Sequence, residues 1–252
     1  MAKEPPRPRP TASSGAASDP EGVRLNRFLA SCGYGSRRKC EAFITEGRVE
    51  VNGEVAVDLA TRVSPADHVR VDGKIVRPEQ ELTLLLNKPR GYLTTRDDPE
   101  ERKTIYDLLP RKFRNLSYVG RLDQESQGLL LLTNSGSLNE ALTHPRHRIE
   151  KEYLVALDRA FDPELIPRLT EGIHLAEGLA RAESVRPLSR RRLSVVLTQG
   201  YNRQIRRMFA KLDYKVKELE RVRIGRLRAP DLSTGDFRVL NRRDLAELSR
   251  NP

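Results

Sequence analysis

The stretch that most constrains this chain is Gly128-Leu129-Leu130-Leu131-Leu132-Thr133-Asn134-Ser135-Gly136. Four consecutive leucines without polar alternation, set between a glycine and a turn-forming cluster, fit a strand covered on both faces that ends in a turn. A single acid, Asp123, stands just upstream in Gly120-Arg121-Leu122-Asp123. It therefore falls in the loop entering a central strand, where a rigid sheet holds the geometry while the loop backbone approaches a substrate. The competing reading is a surface turn in which Asp123 pairs only with Arg121.

Charge narrows the class of partner. The 252 residues include 46 Lys+Arg against 35 Asp+Glu, a formal charge of +11 and a pI near 9.9. Such a balance favours a polyanion, either nucleic acid or an acidic membrane surface. No apolar segment reaches the roughly 20 residues a membrane span needs, and no secretory core is evident, so a soluble cytoplasmic protein is expected. Cys32 and Cys40 have neither metal-ligand nor CxxC spacing and read as reduced, small hydrophobes. The four histidines, at 68, 144, 147 and 174, do not form a metal pattern.

Residues 1–21 are rich in Pro, Ala and Ser with scattered charge, which predicts a disordered tail. From Val23 the pattern changes. Leu25, Phe28 and Leu29 repeat as one face of a short helix, broken at Gly33-Tyr34-Gly35. Ser36 is placed to cap a second helix with Cys40, Phe43 and Ile44 on one face, stopping at Gly47. Val49 and Val51 then alternate up to Asn52-Gly53, a hairpin signal. Arg24, Arg27, Arg37, Arg38, Lys39 and Arg48 outnumber Glu41, Glu46 and Glu50 here, which suggests a clamp on an RNA backbone. Residues 69–71 and 75–76 continue this module or begin the connection, and the polar segment 78–81 reads as a linker.

A second domain is expected over 82–250. It opens with a strand over 82–86 and the turn Asn87-Lys88-Pro89-Arg90-Gly91, where Lys88 and Arg90 either contact phosphate or belong to a plain Pro-Gly turn. Ser137 is placed to cap a helix ended by Pro145, residues 151–157 alternate as a strand, and Asp162-Pro163 starts another helix. Strands are predicted over 181–185 and 193–197 around the basic tip Arg190-Arg191-Arg192. Asn202 is placed to cap a helix whose Ile205, Met208, Phe209 and Leu212 share one face. Between Tyr201 and Arg228 ten basic residues face three acids, a local charge of +7, which favours a phosphate track including Arg203 and Arg207.

The run RLNRFLASCGYGSRRKCEAFITEGRVEVNG resembles the S4 RNA-binding module, which the resemblance places over 22–77. GRLD at 120–123, KEY at 151–153 and NRQIRRMF at 202–209 together resemble the RNA pseudouridine synthases, in the branch that carries an S4 module and acts on ribosomal RNA. GRLDQESQGLLLLTN, KEYLVALD, LTQGYNRQIRRMF and YKVKELERVRI are most similar to the F-type synthases of the large-subunit 23S ribosomal RNA. The resemblance implies an α+β protein: a small S4 unit of two helices and a hairpin, tethered to a catalytic domain with a mixed, mostly antiparallel sheet. It implies a monomer that needs neither metal nor cofactor, because converting uridine to pseudouridine changes no net redox state.

Residue by residue, the resemblance makes Asp123 the catalytic aspartate, as nucleophile or as base, with Arg206 as its salt-bridge partner. It makes Tyr153 the ring that stacks on the extruded uracil, Arg121 the side chain near the site the flipped base leaves, and Ile224 the aliphatic residue under the base. Arg203 stands where other branches of the superfamily place His, a departure that fits the 23S subgroup. The main alternative is a non-catalytic RNA-binding or ribosome-assembly protein using the same basic surfaces. A DNA-binding regulator is disfavoured, since no helix-turn-helix with a base-reading face is evident.

Overall fold

The computed structural model of the chain describes residues 22–248, and the chain divides between Glu79 and Gln80 into two units. The tail expected over 1–21 and the last two residues of the expected catalytic domain lie outside the described residues. In the first unit the order is β1 (Val23–Arg24), α1 (Leu25–Ser31), α2 (Arg37–Thr45), β2 (Val49–Val51), β3 (Glu54–Val55), β4 (Arg62–Val63), β5 (Val69–Val71) and β6 (Lys74–Ile75). Ser36 caps α2, its hydroxyl accepting the Lys39 N–H at 3.2 Å. The pairs Asn52-Gly53 and Asp72-Gly73 all have positive φ, the backbone that two-residue hairpin turns require. The four strands run β3-β2-β5-β6, so Val69–Val71 continues the small module. Leu25, Leu29, Cys40, Ile44, Val49, Val69 and Val71 close its core.

The second unit is built from β7 (Thr83–Lys88), β8 (Ser117–Val119), β9 (Gln127–Thr133), α3 (Gly136–Thr143), β10 (Lys151–Leu157), α4 (Ile166–Glu171), β11 (Ile173–Leu175), β12 (Gly178–Ala180), β13 (Ser184–Ser189), β14 (Arg192–Leu197), α5 (Gln204–Ala210), β15 (Val216–Ile224), β16 (Phe237–Val239) and α6 (Arg242–Leu248). Its main sheet runs β13-β14-β10-β15-β9-β7-β16, and β8 also pairs with β9. Only β15 and β9 are parallel, for two residue pairs, so the sheet is mixed and mostly antiparallel. The chain is α+β, as expected.

The leucine run of β9 is buried on both faces because two cores flank it. Leu129 and Leu131 pack with Leu142 of α3 and Leu248 of α6, whereas Leu130 and Leu132 pack with Ile105, Tyr106 and Leu116. On one edge β9 carries β7 from Gly128 to Thr133; on the other it carries β15 at its start and β8 at its end. The loop from Gly120 to Ser126 leaves β8 and turns into β9 at that split edge. Asp123 is thereby placed where two halves of the sheet meet.

Several expected boundaries shift. Ser135, not Ser137, caps α3, accepting the Leu138 N–H, because the turn after β9 ends sooner. Asp162 caps a 3-10 turn, Pro163–Leu165, ahead of α4. Residues 181–183 precede β13 rather than belonging to it, and the hairpin β11–β12 was not anticipated. Asn202 does not cap α5: the N-cap is Arg203, a non-glycine residue at φ 48 and ψ 36. No helix among the described residues is long and apolar enough to cross a membrane.

Candidate active site

The loop bearing Asp123 is held by its own carbonyls. Thr94 Oγ1 donates to Leu122 O at 2.7 Å, and the Gly91 N–H to Gln124 O at 2.8 Å. Lys88 Nζ donates to Asp123 O at 3.1 Å and to Ser126 O at 2.8 Å, while Arg206 Nη2 donates to Glu125 O at 3.3 Å. Every carbonyl from Leu122 to Ser126 is thus bound by a partner distant in sequence. Such a loop has few conformations left, which is what a reacting carboxylate needs to keep its position.

Lys88 is a correction to the phosphate reading. It is fully buried, and its ammonium group lies among the carbonyls of Pro89, Asp123 and Ser126, out of reach of any phosphate. Burial pushes its pKa down to about 8, against the opposing pull of Asp123. The turn 87–91 is therefore a buttress for the loop, not an anion site. Arg90 stays exposed, close to Glu125.

The implied salt bridge between Arg206 and Asp123 is not formed among the described residues. The cation in range of Asp123 is Arg203, with Nη1 3.8 Å from Oδ2. Arg203 also reaches Glu125 at 3.2 Å, its left-handed backbone turning the side chain toward the loop from the N-terminus of α5. Arg206 lies deeper, with Nη1 donating to Val216 O at 2.9 Å and Nε 3.7 Å from Glu125. Desolvation lowers its pKa, with Glu125 and Asp123 opposing. The buried Gln204, whose side chain accepts the Tyr201 N–H and donates to Gln199 and Arg181, fixes the turn that makes this possible. Arg207 is held as well, in a two-point ion pair with Glu177 that ties α5 to the β11–β12 hairpin.

A cavity of about 920 Å³ opens beside the loop. Asp123, Arg121, Tyr153, Ile224 and Arg203 all line it; Lys88, Arg206 and Arg207 do not. Asp123 and Tyr153 remain partly exposed, Ile224 is buried in the floor, and Arg121 stands at the rim. Arg37, Arg38 and Lys39 are exposed on the first turn of α2, in the other unit.

Among the cavity residues that escaped the sequence reading are Lys151 and Arg221. Lys151 is part of the KEY motif, and Arg221 was one of ten basic residues in a charged stretch. Nothing local distinguishes them. A β-bulge does: β10 pairs Glu152 with Arg223 but Tyr153 with Arg221, so one extra residue, Val222, is inserted in β15. Arg221 and Arg223, two apart, are thereby turned to opposite faces. Arg223 binds Glu152 and Glu150 on the far side, while Arg221 shares the cavity face with Tyr153. Among the described residues no three His, Cys, Asp or Glu side chains cluster as metal ligands.

Comparison with known proteins matches residues 82–211 to the family model described as RNA pseudouridylate synthase and residues 23–68 to the S4 domain. The chain is 39% identical over 232 residues to an Aquifex aeolicus protein named as an uncharacterized RNA pseudouridine synthase, covering 90% of this chain and 93% of that one. It is 36% identical over 231 residues to the Bacillus subtilis protein named ribosomal large subunit pseudouridine synthase B, covering 89% and 95%. A solved structure described as a pseudouridylate synthase superposes with a TM-score of 0.67 at 29% identity, covering 90% of this chain and all of that one.

Proposed function

The chain belongs to the RNA pseudouridylate synthase family and carries an S4 domain, and from that premise we propose that it isomerises a uridine of large-subunit 23S ribosomal RNA, with Asp123 as the reacting carboxylate. The observation that supports this most is convergence: Asp123, Arg121, Tyr153 and Ile224, scattered over a hundred residues, line one cavity. The reaction breaks the N1–C1′ bond of the target nucleotide, turns the base and rejoins it through C5; C5 loses a proton and N1 gains one. No electron is gained or lost overall, so the chemistry requires no redox group.

Asp123 reacts with the sugar as nucleophile or as base, its loop fixed by Lys88, Thr94, Gly91 and Arg206. Arg203 supplies the neighbouring positive charge, and Arg206 acts as a positioning residue. Tyr153 stacks on the extruded uracil, a contact worth roughly 1 to 3 kcal/mol. Ile224 packs beneath the base, and Arg121 occupies the gap it leaves. Arg37, Arg38 and Lys39 bind the RNA backbone outside the catalytic unit.

The test is carbodiimide mapping of pseudouridines by reverse-transcription stops on 23S and 16S RNA from cells lacking the protein, complemented with wild type or Asp123→Asn. A single 23S stop that is lost, restored by wild type and not by the variant, is the expected result. Its position also separates the F-type resemblance of the motifs from the B-type names of relatives. An unchanged map in both RNAs would leave a non-catalytic RNA-binding protein instead.

A further inference from the structure

The mechanism above leaves a buried cation of the cavity without a task. Arg221 is 5% exposed, and its Nε donates to Leu129 O at 2.7 Å, but Nη2 has no hydrogen-bond partner. No carboxylate forms an ion pair with it among the described residues. A buried guanidinium in that state is costly, because a donor taken from water has to be satisfied elsewhere. Arg223, equally buried two residues on, has two carboxylates and a carbonyl. The unsatisfied one is the one that the bulge turns into the cavity, level with Tyr153. Lys151 lines the same cavity, with Nζ 3.4 Å from Leu142 O, and both burial and Arg221 depress its pKa to about 8. Two poorly neutralised cations therefore stand at the floor on which a base stacked on Tyr153 would rest.

Resting on the function proposed above, we infer that Arg221, seconded by Lys151, donates to a ring carbonyl oxygen of the target uracil and stabilises the negative charge that the base acquires as it leaves the sugar. When the N1–C1′ bond breaks, its electron pair goes to the base and spreads over N1 and the two carbonyl oxygens. Donors already aimed at that charge, in a site shielded from water, strengthen as the bond breaks. The guanidinium of Arg221, which lines the cavity and has only the Leu129 carbonyl as a hydrogen-bond partner among the described residues, is such a donor, and the extruded uracil offers it an acceptor.

The experiment compares wild type, Arg221→Met and Arg221→Lys in single-turnover reactions on two RNAs, one with uridine at the mapped position and one with 5-fluorouridine there. Loss of the parent nucleoside is followed after digestion by liquid chromatography with mass detection, which separates uridine from its equal-mass isomer, and RNA affinity is measured separately. Fluorine makes the base a better leaving group, and bond breaking does not involve the C5 substituent. Arg221→Met is expected to slow the uridine reaction about 10²- to 10³-fold, with RNA affinity within about threefold, and its deficit should shrink at least tenfold on fluorouridine. Arg221→Lys should recover at least a tenfold part of the lost rate. A uridine rate within threefold of wild type, or equal deficits on the two RNAs, would overturn the inference, the latter because a merely structural defect ignores the leaving group. If Arg221→Met does not fold by circular dichroism, Lys151→Met is put through the same comparison, where equal deficits again count against it. Failure of the family function is distinct: there the wild type itself leaves both RNAs unchanged.

Discussion

Lys88 shows how a single side chain can be misread at the level of sequence and still be central. In Asn-Lys-Pro-Arg-Gly a lysine beside a turn reads as solvent-facing, yet its four-carbon stem runs inward and its three N–H groups replace water with three carbonyls. Lys88→Met should leave those carbonyls short of a donor and cost about 2 to 4 kcal/mol, with a loss of activity exceeding any loss of RNA affinity. The pH dependence has a definite sign. With the folded pKa at about 8 and the unfolded one near 10.4, the unfolded chain holds more protons between those values, so Lys88's contribution to stability rises with pH in that window and is flat below it. Urea melts of wild type and Lys88→Met at about pH 7.5 and pH 9.5 should show the gap between them widening at the higher pH. A narrowing gap would contradict the burial argument. Asp123 is the contrasting case, since its place before the leucine run was legible, although the partners of its loop lie 28 to 81 residues away in sequence.

At the scale of elements, the site depends on the short parallel contact between β9 and β15. Gly128, at φ 107, lets the two backbones meet: a Cβ there would lie 2.3 Å from Arg221 O and 2.6 Å from Arg221 N. Gly128→Ala combines a left-handed backbone with a clash against main chain that cannot swing away. It should therefore cost roughly 3 kcal/mol or more, measured as a fall in the urea midpoint. Because the displaced strand carries Arg221 and Ile224, activity should fall further than stability alone explains. In the sequence this glycine marks only the edge of an apolar run. Its pairing partner is 93 residues away, and a bulge that reassigns the faces of β15 leaves no periodic trace, which is why Arg221 and Arg223 look equivalent in the chain and opposite in the fold.

For the molecule as a whole, the two units close separate cores: one holds Leu25 to Val76, and the others draw only on residues from Leu82 onward. A chain beginning at Gln80 should therefore fold with its own cooperative melt, and should bind RNA more weakly and with a shallower dependence on salt, having lost the basic residues of α2 and its neighbours. Filter binding across a salt series checks this; an unchanged affinity and slope would remove the first unit from RNA binding. By itself the sequence determined the two helices and hairpin of the first unit, the buried leucine strand, the basic character and the loop that carries Asp123, because periodicity, caps and turn residues act within a few positions of one another; the α+β class followed from the resemblance of its motifs. The tertiary structure alone decided that Lys88 is a buttress and not a phosphate ligand, that Arg203 and not Arg206 faces Asp123, and that Arg221 enters the cavity. Those outcomes follow from hydrogen bonds and register between segments far apart in the chain, where a one-residue bulge or a buried carbonyl settles which way a charged side chain points.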